Sequence, residues 1–277
     1  MTYADTLSDA PGPRPAGGGR HAGGGTLTYA WALGQRALRE AWRTPEALAP
    51  TLFIPLFFLV VNVGQAGRIF PSRSTEFLHG QGYGAFQLPS SLLLAASFGT
   101  AALFLVEDIE GGYFDKLRSA PVPRTSIVLG RLLAEFLKGL LIAVSIVLLA
   151  LVFGISVASG VGGFVLLVLL TALWAVVFAG FMQLIALKTR SAAATNSGGL
   201  IFFPLLFLTP NFVPRHLLTK PMEVAATINP VTHVMEALRS LILEDYVWSR
   251  ILYGYAVVLV LGAIMLALNV RVIKRYD

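Results

Sequence analysis

Few residues in this 277-residue chain have the type and spacing that chemistry requires. The four histidines are scattered, and none belongs to a His-Glu-x-x-His arrangement, so no metal site is predicted. No serine lies in a Gly-x-Ser-x-Gly turn, and the absence of cysteine excludes thiol nucleophiles, disulfides and thiolate ligands. The glycines between positions 17 and 25 are not followed by the Gly-Lys-Ser/Thr of a phosphate-binding loop. The sequence therefore predicts neither catalysis nor nucleotide binding in this chain.

The most specific feature is a short charged segment, residues 106–124, between two apolar runs at 88–106 and 140–157. Each run is long enough to cross a hydrocarbon core of about 30 Å as a helix. The segment carries acids, bases, a Gly-Gly, a Pro-Val-Pro and two aromatics, which is more than a tether needs. One interpretation is an ordinary solvated loop. The other is a compact element at the membrane surface on which a soluble partner acts.

Three motifs occur in a fixed order along the chain. Acidic residues close the first apolar run, and Lys-Leu-Arg-x-Ala-Pro-Val-x-Arg (116–124) and Leu-Gly-Arg (129–131) follow. The other two motifs are 203–214, which begins Phe-Pro-Leu-Leu, and 228–239, which begins Ile-Asn-Pro-Val-Thr and ends Leu-Arg. Together they resemble the permeases of ABC type-2 exporters, and most nearly the daunorubicin-resistance type of drug and antibiotic exporter. The resemblance covers most of residues 27–277.

Composition independently indicates a membrane protein. Apolar residues make up 56% of the chain and charged residues 13%, whereas a soluble domain carries about 25% charged residues. The chain has room for six spans of about 20 residues with short connections. The net charge of +6 lies mainly at span ends, so membrane orientation explains it better than nucleic-acid binding. The predicted fold class is an all-α integral membrane protein with six transmembrane helices.

The chain divides into three predicted parts. Residues 1–25 form a disordered cytoplasmic tail rich in Gly, Pro and Ala, without the apolar core of a signal peptide. Residues 26–44 form an interfacial amphipathic helix, and residues 45–277 form the six-span permease domain. That domain contains the loop 107–124 and an outer re-entrant segment, 210–249, whose short helices are expected in the outer leaflet.

The interfacial helix is predicted from its periodicity. At about 100° per residue, aromatic and aliphatic side chains fall on one side and charged ones on the other. The apolar side has Leu27, Trp31, Leu38 and Trp42, and the polar side has Arg36, Arg39, Glu40 and Arg43. Such a helix lies along the headgroups. The alternative is a helix whose apolar face packs on protein.

The first, second and last spans are predicted at about 48–63, 88–106 and 251–270. The third is the apolar run 140–157, on a helix that begins near Thr125. A Gly-rich turn at 160–163 precedes the fourth span, which ends near Lys188, and the fifth starts at Ala192 and continues through Phe207. Pro50 and Pro55 in the first span are tolerated in a membrane helix. The third span is expected to remain wet at first, because Arg131, Glu135 and Lys138 form a charge ladder along one side. Their alternative role is in transport or a proton relay.

Charge places both termini in the cytoplasm. Fourteen of the twenty-one Lys and Arg residues fall on the side of the termini, and Lys138 is unassigned. The other side has Arg68, Arg73, Arg215, Lys220, Arg239 and Arg250. Because cytoplasmic loops carry the excess of Lys and Arg, we expect a multi-pass protein of the cell membrane with cytoplasmic termini.

The resemblance implies that the charged loop is a coupling helix that docks on a separate ATPase. The residues that would carry this contact are Glu107, Asp108, Glu110, Tyr113, Phe114, Leu117 and Arg118. The carboxylates would face basic or backbone donors, and the large apolar side chains would fill a cleft. The chain departs from the family pattern at Asp108-Ile109, where a basic or polar pair is more usual.

Aromatic residues in the first and fifth spans are candidates for a substrate route. The set is Phe53, Phe57, Asn62, Phe202, Phe203 and Phe207. Aromatic concave surfaces suit large apolar ligands, but phenylalanines in a span also face lipid or pack on helices. The resemblance implies that these two helices, from two protomers, form the route.

The resemblance implies the membrane-spanning permease subunit of an ATP-driven efflux system for hydrophobic or amphipathic, drug-like or antibiotic-like compounds. Its partners would be a second copy in a homodimer, two ATPase copies that bind ATP and Mg, and membrane lipids, but no nucleic acid. The chain itself would need no cofactor. One alternative is export of a lipid, a lipid-linked glycan or an ion. Another is a membrane anchor or assembly factor that does not transport.

Overall fold

The computed structural model describes residues 26–43, 45–98, 101–111 and 123–275. Within those ranges the chain forms helices and turns without a strand, which confirms the all-α class. The helices are α1 (Thr26–Arg43), α2 (Pro45–Ala66), α3 (Tyr83–Ser97), α4 (Ala101–Glu110), α5 (Arg124–Val152), α6 (Gly160–Thr189), α7 (Ala192–Gly199), α8 (Phe202–Phe207), α9 (Lys220–Ile228), α10 (Pro230–Leu243) and α11 (Trp248–Lys274).

Four of the described helices, α2, α5, α6 and α11, are long and apolar enough to cross a membrane. They coincide with the predicted first, third, fourth and last spans. Pro50 and Pro55 lie inside α2, as expected. Between α5 and α6 the chain turns through Gly154 and Gly160, whose φ angles of 82° and 63° favour glycine. This turn begins six residues before the predicted Gly-rich stretch.

The predicted second and fifth spans are not continuous helices, so the structure does not confirm six uninterrupted spans. The second is divided into α3 and α4, and α3 ends at Ser97. In the fifth, α7 and α8 are separated by Leu200 and Ile201, which keep helical φ and ψ angles but donate hydrogen bonds to the carbonyls three residues earlier, Ser197 O and Gly198 O. Two glycines at the end of α7 and Pro204 in α8 weaken regular helix here, because glycine has high backbone entropy and proline lacks an N–H donor.

The central helix is α6, which packs on α5, α11, α3 and α4. It meets α5 through small residues: a Cβ on Gly139 would lie 3.0 Å from Ala175 Cβ and 3.1 Å from Ala172 Cα. Close backbone approach through small residues is typical of membrane helix pairs. On the other side, Asn269 Nδ2 donates to Gly180 O at 2.7 Å, joining α11 to α6.

Helix α3 is buried along its whole length, from Tyr83 to Ser97. It lies against α2, α5, α6 and α10. At its end Ser97 Oγ accepts a hydrogen bond of 3.0 Å from Trp174 Nε1 of α6. Helix α3 is therefore covered by other helices of this chain, whereas most of α2 and α11 is not.

The segment 210–249 contains two helices, α9 and α10, as the sequence predicts. Asn229 begins α10 by accepting a hydrogen bond from Val231 N at 3.0 Å, and Pro230 occupies the first helical turn. The same side chain donates to Leu205 O, which joins α8 to α10. The placement of this segment in the outer leaflet stays a prediction.

Candidate functional site

The charged loop has a structured stem on each side. Before it, α4 carries Glu107, Asp108 and Glu110; after it, α5 begins at Arg124. Glu107 and Glu110 are exposed and available to a partner, but Asp108 is buried. The loop residues Tyr113, Phe114, Leu117 and Arg118 lie outside the described residues. Their docking role stays a prediction.

Asp108 joins three helices. Its Oδ1 lies 3.3 Å from Arg36 Nη2 of α1, and its Oδ2 accepts a hydrogen bond from Arg131 of α5. The Asp108 and Arg131 side chains are only 10% and 8% exposed. Sequence analysis expects this carboxylate to face the ATPase, whereas its partners in this structure lie within the chain. The Asp108–Arg131 pair instead connects the two stems of the loop.

Helix α1 is also held to α5 by close backbone contact. A Cβ on Gly130 would lie 2.7 Å from Leu33 Cβ and 2.9 Å from Ala30 O. A Cβ on Gly34 would lie 3.0 Å from Gly130 O. Any larger side chain at Gly130 must move α1 away. The loop stem, α1 and the first turns of α5 therefore form one contact region.

The predicted helix 26–44 is present as α1, but one of its sides packs on protein and one of its arginines is paired within the chain. The side that packs on protein includes Ala30 and Gly34, while Trp31 is 51% exposed and remains available for the membrane. Among the basic residues, Arg36 pairs with Asp108 and Arg39 is exposed. Leu38, Trp42 and Arg43 lie within the helix, but their side chains are outside the described part.

The predicted charge ladder of α5 has the expected spacing, but its side chains are buried instead of solvated. Arg131, Glu135 and Lys138 are all buried, so this part of the helix is not wet. Lys138 Nζ lies 2.5 Å from Glu135 Oε1, with side chains only 8% and 4% exposed. Pairing explains how the charges are accommodated, because an isolated buried charge is costly.

A second polar centre holds the 209–212 turn against α3. Arg239 of α10 is buried, with its guanidinium carbon 3.6 Å from the centre of the Phe86 ring. It donates to Pro210 O at 3.0 Å and to Phe86 O at 3.3 Å. Nearby, Gln87 Nε2 donates to Asn211 O at 3.0 Å. The guanidinium is a delocalised cation with several N–H donors, so it can contact the Phe86 ring and the two carbonyl oxygens at the same time.

Sequence reasoning did not assign a role to Arg239. The motif 228–239 ends at this residue, which was the available signal. Its partner Phe86 lies 153 positions earlier in an apolar run, so no local pattern connects the two. Within the described residues, no three His, Cys, Asp or Glu side chains come together in a group that could hold a metal ion.

The route residues divide into two groups. Phe53, Phe57 and Phe207 are exposed by 66%, 58% and 45%, and Phe53 stacks on Phe57 at 5.8 Å. Phe202 is buried against Trp174 and Phe178, with ring centres 6.4 and 5.4 Å away. The remaining two route residues, Asn62 and Phe203, are also less accessible than the three exposed phenylalanines.

Asn62 is buried and donates to Phe58 O at 2.8 Å, and Phe203 is half-buried against Phe98. Phe58 meets Phe207 edge to face at 6.3 Å, so α2 and α8 are neighbours. Three of the predicted route residues are therefore exposed: Phe53 and Phe57 as one stack on α2, and Phe207 on α8.

Known proteins provide an independent comparison. A family model described as ABC-2 type transporter matches residues 28–243. The daunorubicin resistance ABC transporter permease protein DrrB1 of Streptomyces coeruleorubidus is 27% identical over 220 residues, 78% of this chain and 74% of that protein. The transport permease ycf38 of Pyropia yezoensis is 26% identical over 224 residues, 76% of this chain and 72% of that protein.

Proposed function

The chain belongs to the ABC-2 type transporter family, and on that premise we propose that it is the membrane-spanning permease subunit of an ATP-driven exporter of hydrophobic or amphipathic, drug-like compounds. The family and the relatives support a transport permease. The ATPase, the direction of transport and the cargo are our proposals. ATP and Mg would bind the separate ATPase chain.

The observation that carries the proposal is the construction of the loop stem. The exposed carboxylates Glu107 and Glu110 lie at the end of α4, beside the internal Asp108–Arg131 pair. A force applied to the loop by a soluble partner would be transmitted to α4 and α5 together, and through Arg36 to α1. The stem is thus suited to couple an ATPase to the bundle.

The proposed assembly is a homodimer bound to two ATPase copies in the cell membrane. Each chain would cross six times, with the second and fifth crossings each built from two successive helices. Both termini would be cytoplasmic. A reporter fused after Asp277 is expected to be cytoplasmic, and one inserted at Ser74 to be outside. A C-terminal reporter on the outside would contradict the six-crossing arrangement.

Coupling is tested by replacing Glu110 with lysine. Reversing a charge at a docking surface introduces repulsion, so affinity for the ATPase is expected to fall roughly tenfold, or about 1.4 kcal/mol. Binding of the purified ATPase and its stimulated hydrolysis measure this effect. Membrane insertion should be unchanged, because Glu110 is exposed.

The matched control is Glu76→Lys, an exposed carboxylate in the loop proposed to lie on the opposite side. It should bind the ATPase as wild type does. Equal binding by Glu110→Lys and wild type would contradict the docking role. If the wild-type permease neither stimulates hydrolysis by its ATPase nor transports together with it, the chain is an anchor or assembly factor.

The exposed aromatic side chains of α2 and α8 support a hydrophobic cargo. A hydrophilic pore would need rings of charged side chains or ordered carbonyls, whereas Phe53, Phe57 and Phe207 present rings. We infer that these side chains face the second copy and that the cargo enters partly from the inner leaflet.

Phe57→Trp is expected to narrow this route and to reduce export of bulky hydrophobic compounds by roughly tenfold, equivalent to about 1.4 kcal/mol. Efflux of a fluorescent hydrophobic dye from vesicles containing the permease and its ATPase measures this. Leu252→Trp on α11 is the control, since Leu252 is similarly exposed, at 62%. If both variants export the dye like wild type, Phe57 does not line the route.

A further inference from the structure

A groove of about 340 Å³ lies between α5, α6 and α11, and no residue of α2 or α8 lines it. The side chains that line it are all apolar, among them Leu133 and Phe136 of α5, Leu173 of α6 and Leu266 of α11. Leu259 on its rim is 58% exposed. Its three helices are all long and apolar enough to cross a membrane, so we expect the groove to face hydrocarbon.

One end of the groove lies beside α1. A Cβ on Gly34 of α1 would be 3.4 Å from Leu133 Cδ2, and Leu133 lines the groove. Trp31 on the same helix is 51% exposed, and indole rings favour the headgroup region. From this level the groove follows α11 from Leu266 to Val258, which at 1.5 Å per residue is about 12 Å into the membrane.

The side chains that line the groove distinguish between occupants. Helices approach one another through small residues in membranes, whereas here Leu and Val dominate and only Gly262 and Ala263 are small. A single flexible hydrocarbon chain matches the length and the apolar lining of the groove.

We propose that this groove binds one acyl chain of a phospholipid from the leaflet in which α1 lies, with the headgroup beside α1. The assignment of that leaflet as the inner one rests on the cytoplasmic placement of α1 proposed above; the site itself does not depend on transport. The readout below is lipid binding, so its failure is distinguishable from failure of the exporter proposal.

The test uses full-length protein in vesicles of phosphatidylglycerol and phosphatidylethanolamine that contain a phospholipid with a photoreactive diazirine in one acyl chain. After illumination, mass spectrometry locates the label. We expect labelled peptides from 129–136 of α5 and 258–266 of α11. Gly262→Trp should fill the groove, because a Cβ there points to Val177 Cγ2 at 3.7 Å, and should reduce this labelling roughly tenfold, or about 1.4 kcal/mol.

Val260→Trp is the matched control, since Val260 is 58% exposed on the same helix and does not line the groove. It should leave the labelling unchanged. Ala263→Phe provides a second filled groove if Gly262→Trp does not fold. The proposal would be overturned by labelling that is spread evenly over all exposed apolar faces. It would also be overturned if Gly262→Trp or Ala263→Phe folds and leaves the labelling of the groove unchanged.

A second copy of the chain is the competing occupant. The chain has no native cysteine, so a single Gly262→Cys variant reports contact between copies without interference. Absence of crosslinked dimer under oxidation is expected if lipid fills the groove. Efficient crosslinking through this position in the membrane would overturn the lipid assignment.

Discussion

Replacing Asp108 with leucine is expected to leave the chain in the membrane but to abolish ATPase stimulation. The change removes the carboxylate that pairs with Arg131, whose side chain is only 8% exposed, and with Arg36 of α1. Breaking a buried ion pair by removing one partner costs roughly 3–5 kcal/mol, because the remaining charge stays buried. Thermal unfolding of the purified protein and stimulated hydrolysis in vesicles are the measurements.

Two variants make this expectation specific. Glu107→Leu changes the neighbouring but exposed carboxylate, and its unfolding temperature should remain close to that of wild type. Asp108→Leu combined with Arg131→Met removes both charges, so it should recover much of the lost stability. Equal stability of Asp108→Leu and Glu107→Leu would show that the stem does not depend on the pair.

The second large effect is expected at Arg239. Arg239→Met removes the donors to Phe86 O and Pro210 O and the cation over the Phe86 ring. Hydrogen bonds to a charged group contribute about 1.5–3 kcal/mol each, so loss of the bonds to two carbonyls is expected to cost roughly 3–6 kcal/mol and to release the 209–212 turn from α3. Unfolding in mild detergent and protease access to that turn measure the two effects.

Arg239→Lys should recover only part of the stability, because an ammonium lacks the fork of donors that reaches two carbonyls. The matched control is Arg215→Met. Arg215 makes a bidentate pair with Glu236 at 3.1 and 2.8 Å, but both side chains are partly exposed. Such a pair contributes about 0–1 kcal/mol. A smaller effect at Arg239 than at Arg215 would contradict the anchoring role.

The sequence predicts the helices well where the apolar run is long. The positions of α2, α5, α6 and α11 follow from apolar length, with ends that differ by up to five residues, because a membrane helix must satisfy its backbone within the segment. The interruptions of the second and fifth spans were not predicted. A covered helix such as α3 tolerates a break that lipid would penalise, and whether a helix is covered depends on partners distant in sequence.

Burial of charge could not be read from spacing either. The ladder pattern identifies the common side of Arg131, Glu135 and Lys138, but exposed and buried ladders have the same period. At Arg131 the buried partner is Asp108, which comes from α4. The same is true of α1, whose amphipathic pattern is visible although the pairing of Gly34 with Gly130 is not.

The contact between Gly34 and Gly130 also has a consequence for biosynthesis. The two glycines leave the ribosome about a hundred residues apart, which at 5–20 residues per second is a delay of roughly 5 to 20 seconds. During that interval α1 has no docking partner on α5, and we expect its exposed Trp31 side to bind the membrane surface. We therefore expect α1 to keep the nascent segment at the membrane surface, where its partner later emerges, so that the two helices search for each other in two dimensions.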